Sequence, residues 1–204
     1  MAFHVLYVCT GNVCRSPMAE LLFRGWVDPL ADATVASAGV RALVGHGIDS
    51  SSATALAQLG IDPSSHRARQ FEPSMAERAD LILAATLEQR DIVMTAVPMT
   101  LRRTFTMKEF VRLLNGVPRA APAAVVSAAV VSAAAARRGR VPLVAPHDDD
   151  VRDPYRSAIP HAKAVAEEIT ETVYATVSAL GFAAEGSAYQ APVHTTPSGR
   201  PVRY

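Results

Sequence analysis

The stretch Val8-Cys9-Thr10-Gly11-Asn12-Val13-Cys14-Arg15-Ser16-Pro17 decides how this chain is read. Upstream of it, Phe3 to Val8 (FHVLYV) is apolar, β-branched or aromatic and predicts a buried strand. Downstream, Pro17-Met18-Ala19-Glu20-Leu21-Leu22-Phe23-Arg24 predicts a helix with proline in its first turn. A short loop thus joins the carboxyl end of a strand to the amino end of a helix, with a cysteine where it begins and an arginine where it closes. Gly11 and Asn12 are residue types that tolerate the left-handed backbone so tight a loop needs.

Backbone amides between Cys9 and Arg15 can converge on an anion, and the helix dipole adds partial positive charge at the same point. A tetrahedral oxyanion fits such a nest. The same positive surroundings favour the thiolate of Cys9. Ser16 can donate a hydroxyl hydrogen bond to the sulfur, and Arg15 offers a planar fork matched to two equatorial oxygens of a phosphoryl group. The plain alternative is that Cys9 and Cys14 are small core hydrophobes and Arg15 a surface charge. The strand-loop-helix setting with Gly-Asn inside the loop argues against it.

These residues resemble the low-molecular-weight protein tyrosine phosphatase family, in a bacterial-type form. VCTGNVCRSPMAELLFR, residues 8 to 24, is similar to the family's signature loop and first helix. Ala36-Ser37-Ala38-Gly39 resembles the segment following its second strand, and Ser65-His66-Arg67-Ala68-Arg69-Gln70 its loop before the third strand. Asp153-Pro154-Tyr155 resembles the segment carrying its general acid. The motifs stand in the family's order from residue 3 to about 181, apart from an insert at about 116–146.

The resemblance implies roles for these positions. Cys9 is the nucleophile, Arg15 the transition-state clamp, Ser16 the partner of the thiolate and Asp153 the general acid and base. Thr10, Gly11, Asn12, Val13 and Cys14 complete the phosphate-binding loop, and Asn12, Ser37 and His66 support its shape. An ordinary exposed loop histidine is the alternative for His66; the surrounding SHRARQ match favours the supporting role. Each assignment makes chemical sense. Attack by Cys9 on phosphorus gives a cysteinyl-phosphate and divides one hard hydrolysis into two displacements. The leaving oxygen needs a proton, which an aspartic acid supplies before activating water in the second step. Loop amides and Arg15 stabilise the equatorial oxygens, so neither metal nor cofactor is expected. Cys14, five residues after Cys9, is a candidate redox partner that would capture an oxidised Cys9 as a disulfide.

Length and composition suit one enzyme domain. The chain has 204 residues, 50% of them hydrophobic, enough for one sizeable core, and its formal net charge of +1 gives no sign of nucleic-acid or membrane attraction. FHVLYV is too short for a signal peptide, and no apolar run reaches the roughly 18 residues a membrane span needs. The expected location is cytoplasmic, with secretion lacking a signal peptide left open. Two cysteines, both in the loop, fit a reducing compartment, and the six histidines are scattered without zinc-site spacing.

Apolar runs predict strands near 3–8, 33–37, 80–85 and 102–106, separated by helices near 17–28, 50–60, 87–96 and 107–115. The alternation predicts an α/β fold, a single domain with a four-stranded parallel sheet, helices on both faces and the phosphate-binding loop after the first strand. A last helix near 159–181 carries Ala162, Val165, Ala166, Ile169, Val173, Val177 and Leu180 as a core stripe. Alanine-rich residues 120–136 predict a helix inside the 116–146 insert, either laid on the domain or mobile, with a partner surface or dimer contact as the alternative. Arg137-Arg138-Gly139-Arg140 reads as an exposed helix end or hinge, and Asp148, Asp149 and Asp150 as a solvated acidic loop. The domain is placed at 1–182 and a flexible tail, rich in Gly, Pro, Ser and Thr, at 183–204. Oligomeric state is left open.

Substrate choice turns on a ring slot that the resemblance implies. Leu43, with His46 nearby, stands where the family usually has an aromatic wall; Tyr155 keeps the opposite wall, and Arg156 replaces a frequent second tyrosine. Ala85-Thr86-Leu87-Glu88 replaces a common Met-Asp. A phosphotyrosine protein, such as a bacterial tyrosine kinase, is the expected partner. The alternatives are an arsenate reductase, which lacks further cysteines here to pass oxidation to, a phosphoarginine phosphatase, whose members carry threonine where Val13 stands, and a weakly active phosphate-binding module.

Overall fold

Val5, Tyr7 and Cys9 point to one side of the first strand and Leu6 and Val8 to the other, and all five are buried. A strand buried on both faces must lie inside a sheet covered by helices on each side. In the computed structural model, which describes residues 2–115, 123–145 and 147–183, this is what β1 (Phe3–Cys9) does. It pairs in parallel with β2 (Ala33–Gly39) on one side and β3 (Leu81–Ala84) on the other, and β4 (Thr104–Thr106) extends the sheet to the order β2-β1-β3-β4.

One face is covered by α1 (Arg15–Trp26), α5 (Met107–Leu114) and α7 (Ile159–Ala179), with α2 (Ser50–Gln58) against α7. The other face packs Ala76 of α3 (Pro73–Arg78) and Val93 of α4 (Leu87–Ala96) on Leu6, Val8 and Ile82. The chain winds from β1 outward to β2 and then returns past β1 to β3. The carboxyl end of β1 is therefore where the winding reverses, the place at which open α/β sheets bind ligands. The expected apolar stripe of α7 is buried along its length.

The elements differ from the sequence expectation in several places. The first helix begins at Arg15, not Pro17, so Arg15 and Ser16 lie in its first turn. α3 was not expected: six residues opening on Pro73 are too few to show a helical period. Pro98–Arg103 forms a 3-10 helix, which leaves β4 only Thr104–Thr106.

The insert contributes α6 (Ala123–Arg137), and Val131 and Ala134 join the core beside α5. Arg138 is not the exposed helix end or hinge that its sequence suggests. Its Nε donates to Glu109 Oε1 at 2.8 Å and its Nη1 to Leu101 O at 2.8 Å, with the guanidinium 4.1 Å from the Phe105 ring centroid. Arg137 donates to Asn115 O at 2.6 Å. A run of arginines in sequence conceals that buried Glu109 and open carbonyls lie within reach. Residues 116–122 and 146 of the insert, and 184–204 of the expected tail, lie outside the described residues.

Candidate active site

Every carbonyl from Cys9 to Cys14 is turned out of the loop and bonded to something behind it. Val40 N–H donates to Cys9 O, Arg41 N–H to Thr10 O and Leu43 N–H to Gly11 O, each at 2.9 Å. His66 Nε2 donates to Asn12 O at 2.8 Å, Asp49 N–H to Val13 O at 2.8 Å and Met18 N–H to Cys14 O at 3.0 Å. With the carbonyls directed outward, the peptide planes leave their amides facing the centre of the loop. Asn12 takes the left-handed turn, at φ 54°. Its amide donates to Cys9 Sγ at 3.3 Å, and Ser16 Oγ lies 3.0 Å from the same sulfur.

The Asn12 side chain ties this loop to two others. Nδ2 donates to Ser16 Oγ at 2.9 Å and to Ser37 Oγ at 2.8 Å, while Oδ1 accepts Arg69 N–H at 2.9 Å. Burial pushes the His66 pKa down, so the ring is neutral and holds one N–H for the Asn12 carbonyl. Gly39 completes the support by having no side chain. A Cβ there would stand 2.5 Å from Thr10 O and 2.9 Å from Asn12 N, so the end of β2 approaches the loop more closely than any other residue allows.

Sequence reasoning missed Glu20 and Arg69 as parts of this support. Glu20 is buried on α1, accepts from Ser37 Oγ, and pairs with Arg24 at 2.5 Å and Arg69 at 3.1 Å. Arg69 Nε also donates to Ser37 O at 2.6 Å. The available signal was a lone acid in the otherwise apolar run from Met18 to Phe23, since a charge on a core-facing turn requires a partner.

Arg15 and Asp153 meet across 138 positions of chain, Nη2 to Oδ2 at 3.0 Å, and Arg15 Nη1 donates to Val151 O at 3.2 Å. Arg15 Nε is buried with no hydrogen-bond partner among the described residues. The Asp153 side chain is 54% exposed, so its carboxyl can exchange protons with solvent. The other acids of the segment are differently employed. Asp149 is buried in a two-bond pair with Arg112, and Asp150 Oδ1 accepts Leu87 N–H at 2.8 Å at the start of α4. The expected solvated acidic loop is therefore corrected: these two carboxylates hold the loop in place, because α4 and α5 bring a helix N-terminus and an arginine up to them.

Above Cys9 opens a cavity of about 170 Å³. The buried Cys9, Val13 and Arg15 line it together with Arg41, Leu43, Asp153 and Tyr155. The structure thus brings Leu43 and Tyr155 to one opening, and Arg156, at φ 54°, places its guanidinium 5.1 Å from the Tyr155 ring centroid. Thr86 caps α4 by accepting Gln89 N–H, so the altered Ala85-Thr86-Leu87-Glu88 segment keeps a polar helix start. Both cysteines are free; Cys14 is buried, and burial pushes its thiol pKa up to about 12. No helix among the described residues is long and apolar enough to cross a membrane.

A thiol ringed by inward amides, an arginine fork and a solvent-exposed carboxyl can bind a tetrahedral oxyanion and exchange its ester oxygen. The profile of the low molecular weight phosphotyrosine protein phosphatases matches residues 4–117, and the chain belongs to that family. It is 42% identical over 105 residues to the probable low molecular weight protein-tyrosine-phosphatase EpsP of Ralstonia solanacearum, covering 52% of this chain and 70% of that protein. It is 35% identical over 116 residues to a protein-arginine-phosphatase of Geobacillus stearothermophilus, covering 57% of this chain and 76% of that one. Among solved structures, the low molecular weight protein tyrosine phosphatase from T. tengcongensis superposes with a TM-score of 0.62 at 29% identity, over 87% of this chain and 99% of that one. The YwlE arginine phosphatase of Geobacillus stearothermophilus gives 0.65 at 26% identity, over 88% and 93%. The family works through a cysteine nucleophile, and its protein-tyrosine-phosphatases are phosphoric monoester hydrolases; this chain is an enzyme of that class.

Proposed function

We propose that this enzyme hydrolyses phosphotyrosine in proteins through a cysteinyl-phosphate on Cys9. The observation that carries the proposal is that one cavity is lined by Cys9, the Arg15–Asp153 pair, Tyr155 and Leu43. Arg15 spans two equatorial oxygens of the phosphoryl group, while Thr10, Gly11, Asn12, Val13 and Cys14 present amides to them. Ser16 steadies the thiolate. Asp153 protonates the leaving phenolate, then takes a proton from the water that attacks the phosphocysteine. Ser37 and His66 act behind the loop by holding Asn12. Tyr155 stacks on the substrate ring and Leu43 supplies an apolar edge opposite, which selects an aryl phosphate with looser aromatic recognition than two aromatic walls would.

The domain is assigned to residues 1–182. A bacterial tyrosine kinase or its phosphorylated target is the proposed partner, in the cytoplasm, where a free catalytic thiol stays reduced. When peroxide converts Cys9 to its sulfenic acid, the proposed rescue is attack by Cys14 sulfur with loss of water to give a disulfide, which external thiols reduce.

The test compares kcat/KM for matched phosphotyrosine, phosphoserine and phosphoarginine peptides, with arsenate-coupled thiol oxidation measured alongside. Phosphotyrosine is expected to lead. Equal values for phosphotyrosine and phosphoserine would refute the slot, and a lead for phosphoarginine would transfer the substrate to the chemistry named for the Geobacillus relative.

A further inference from the structure

Beside the catalytic cavity, and sharing Thr10, Arg15 and Asp153 with it, lies a larger cleft of about 470 Å³. The first turn of α4 forms another part of its wall with Glu88 and Gln89, and Asp150 and His147 also border it. Three carboxylates, from Glu88, Asp150 and Asp153, therefore face the cleft against one guanidinium, and that guanidinium is already paired with Asp153 at 3.0 Å. Among the described residues Glu88 is held only by an exposed contact to Arg41 at 3.4 Å, the kind of surface pair that an incoming cation exchanges at small cost.

A second, independent observation concerns Gln89, which is 3% exposed. Its Nε2 donates to Thr10 Oγ1 at 3.1 Å, but its Oε1 has no donor among the described residues. A buried carbonyl oxygen without a donor is costly, so a ligand that brings an N–H to it is favoured. Negative charge combined with a buried open acceptor suits an ammonium or guanidinium group and disfavours an anion.

We propose that this cleft is a subsite for a lysine or arginine side chain that flanks the phosphorylated residue of the protein substrate. The inference rests on the phosphotyrosine proposal for what fills the Cys9 cavity and adds what recognises its neighbourhood. Because the two spaces share a wall, a peptide anchored by its phosphoryl group carries side chains from nearby positions across Asp153 into the cleft.

The test uses the full chain and phosphotyrosine peptides in which one lysine, alanine or glutamate is placed in turn at three positions on each side. At one position or more, kcat/KM for lysine should exceed that for alanine by roughly threefold to tenfold, glutamate should fall below alanine, and salt should compress the difference. Glu88→Lys should abolish or reverse the lysine-to-alanine ratio. Arg41→Ala, which breaks the same ion pair but keeps the carboxylate, should retain it. Each ratio is taken within one variant, so a change in intrinsic turnover cancels. Turnover of the alanine peptide tests the phosphotyrosine proposal, and the ratio between flanks tests the subsite. If turnover is absent, the same ratio is read as Kd on Cys9→Ser protein by calorimetry, with phosphotyrosine and phosphoarginine peptides. A ratio near one at every position, a preference for glutamate, a lysine preference that survives Glu88→Lys, or binding too weak to detect for every peptide overturns the subsite.

Discussion

Arg112 grips Asp149 with two parallel hydrogen bonds, Nε to Oδ1 at 3.0 Å and Nη2 to Oδ2 at 2.6 Å, and so fastens the loop that carries Asp153 to α5. Thr106 Oγ1 donates to Asp149 O at 2.7 Å and Lys108 Nζ to Asp150 O at 3.2 Å, from the same short segment. Arg112→Leu should therefore displace the acid without touching substrate. We expect kcat for phenyl phosphate, a poor leaving group, to fall roughly tenfold to a hundredfold, with p-nitrophenyl phosphate changing about twofold or less. A uniform loss across leaving groups would mean that the pair serves stability alone.

Asp153 itself is tested by the same series. In Asp153→Asn, aryl phosphates that need a proton should lose on the order of 10² to 10⁴ in kcat, and those with good leaving groups far less. Asp150→Asn keeps an acceptor for the Leu87 amide and removes only the charge beside the start of α4, so it should lower stability by less than about 1 kcal/mol while leaving the leaving-group dependence as it was. The reverse pattern would move the acid to Asp150.

Cys9→Ser should lower turnover by a factor on the order of 10⁴ or more, because a serine hydroxyl is a weak nucleophile at its ordinary pKa. The amide ring and Arg15 remain, so calorimetry should still detect inorganic phosphate. Arg15→Lys keeps a charge but loses the fork, and kcat should fall by roughly 10² to 10³. Substantial activity in Cys9→Ser would end the mechanism.

Gly39→Ala places a methyl group 2.5 Å from Thr10 O, where backbone meets backbone and neither can rotate away. A destabilisation of about 1 to 3 kcal/mol is expected in urea unfolding, with a weakened response to added phosphate. A stable variant that binds phosphate normally would show that β2 can shift.

His66 makes the support of the loop pH-dependent. Its folded-state pKa lies below the ordinary histidine value near 6.5, chiefly because burial opposes the charged ring. The unfolded chain thus takes up the proton first. The contribution of His66 is fully present above about pH 6.5 and declines as the pH falls through that value toward the folded pKa. Unfolding midpoints measured from pH 8 down to pH 5 should show a fall that is smaller in His66→Gln; parallel curves would remove His66 as the cause.

The phosphate-binding loop was legible in sequence because its parts are local. Contiguous amides, one residue suited to positive φ at Asn12 and the start of a helix at Arg15 need no distant partner to be recognised. Alternating apolar and helical runs likewise carried the parallel sheet, and the periodic stripe of α7 carried its buried face. Arg112 with Asp149 and Arg138 with Glu109 were not legible, since in sequence each is an ordinary surface charge; Glu20 stands out as the one acid of an apolar run, but nothing local names Arg69 as its partner. Only the order β2-β1-β3-β4 brings β2, the His66 segment and the Asp153 loop around the end of β1. Which charges are buried, and which partners neutralise them, follows from that packing, because desolvation acts on position in the fold and not on residue type.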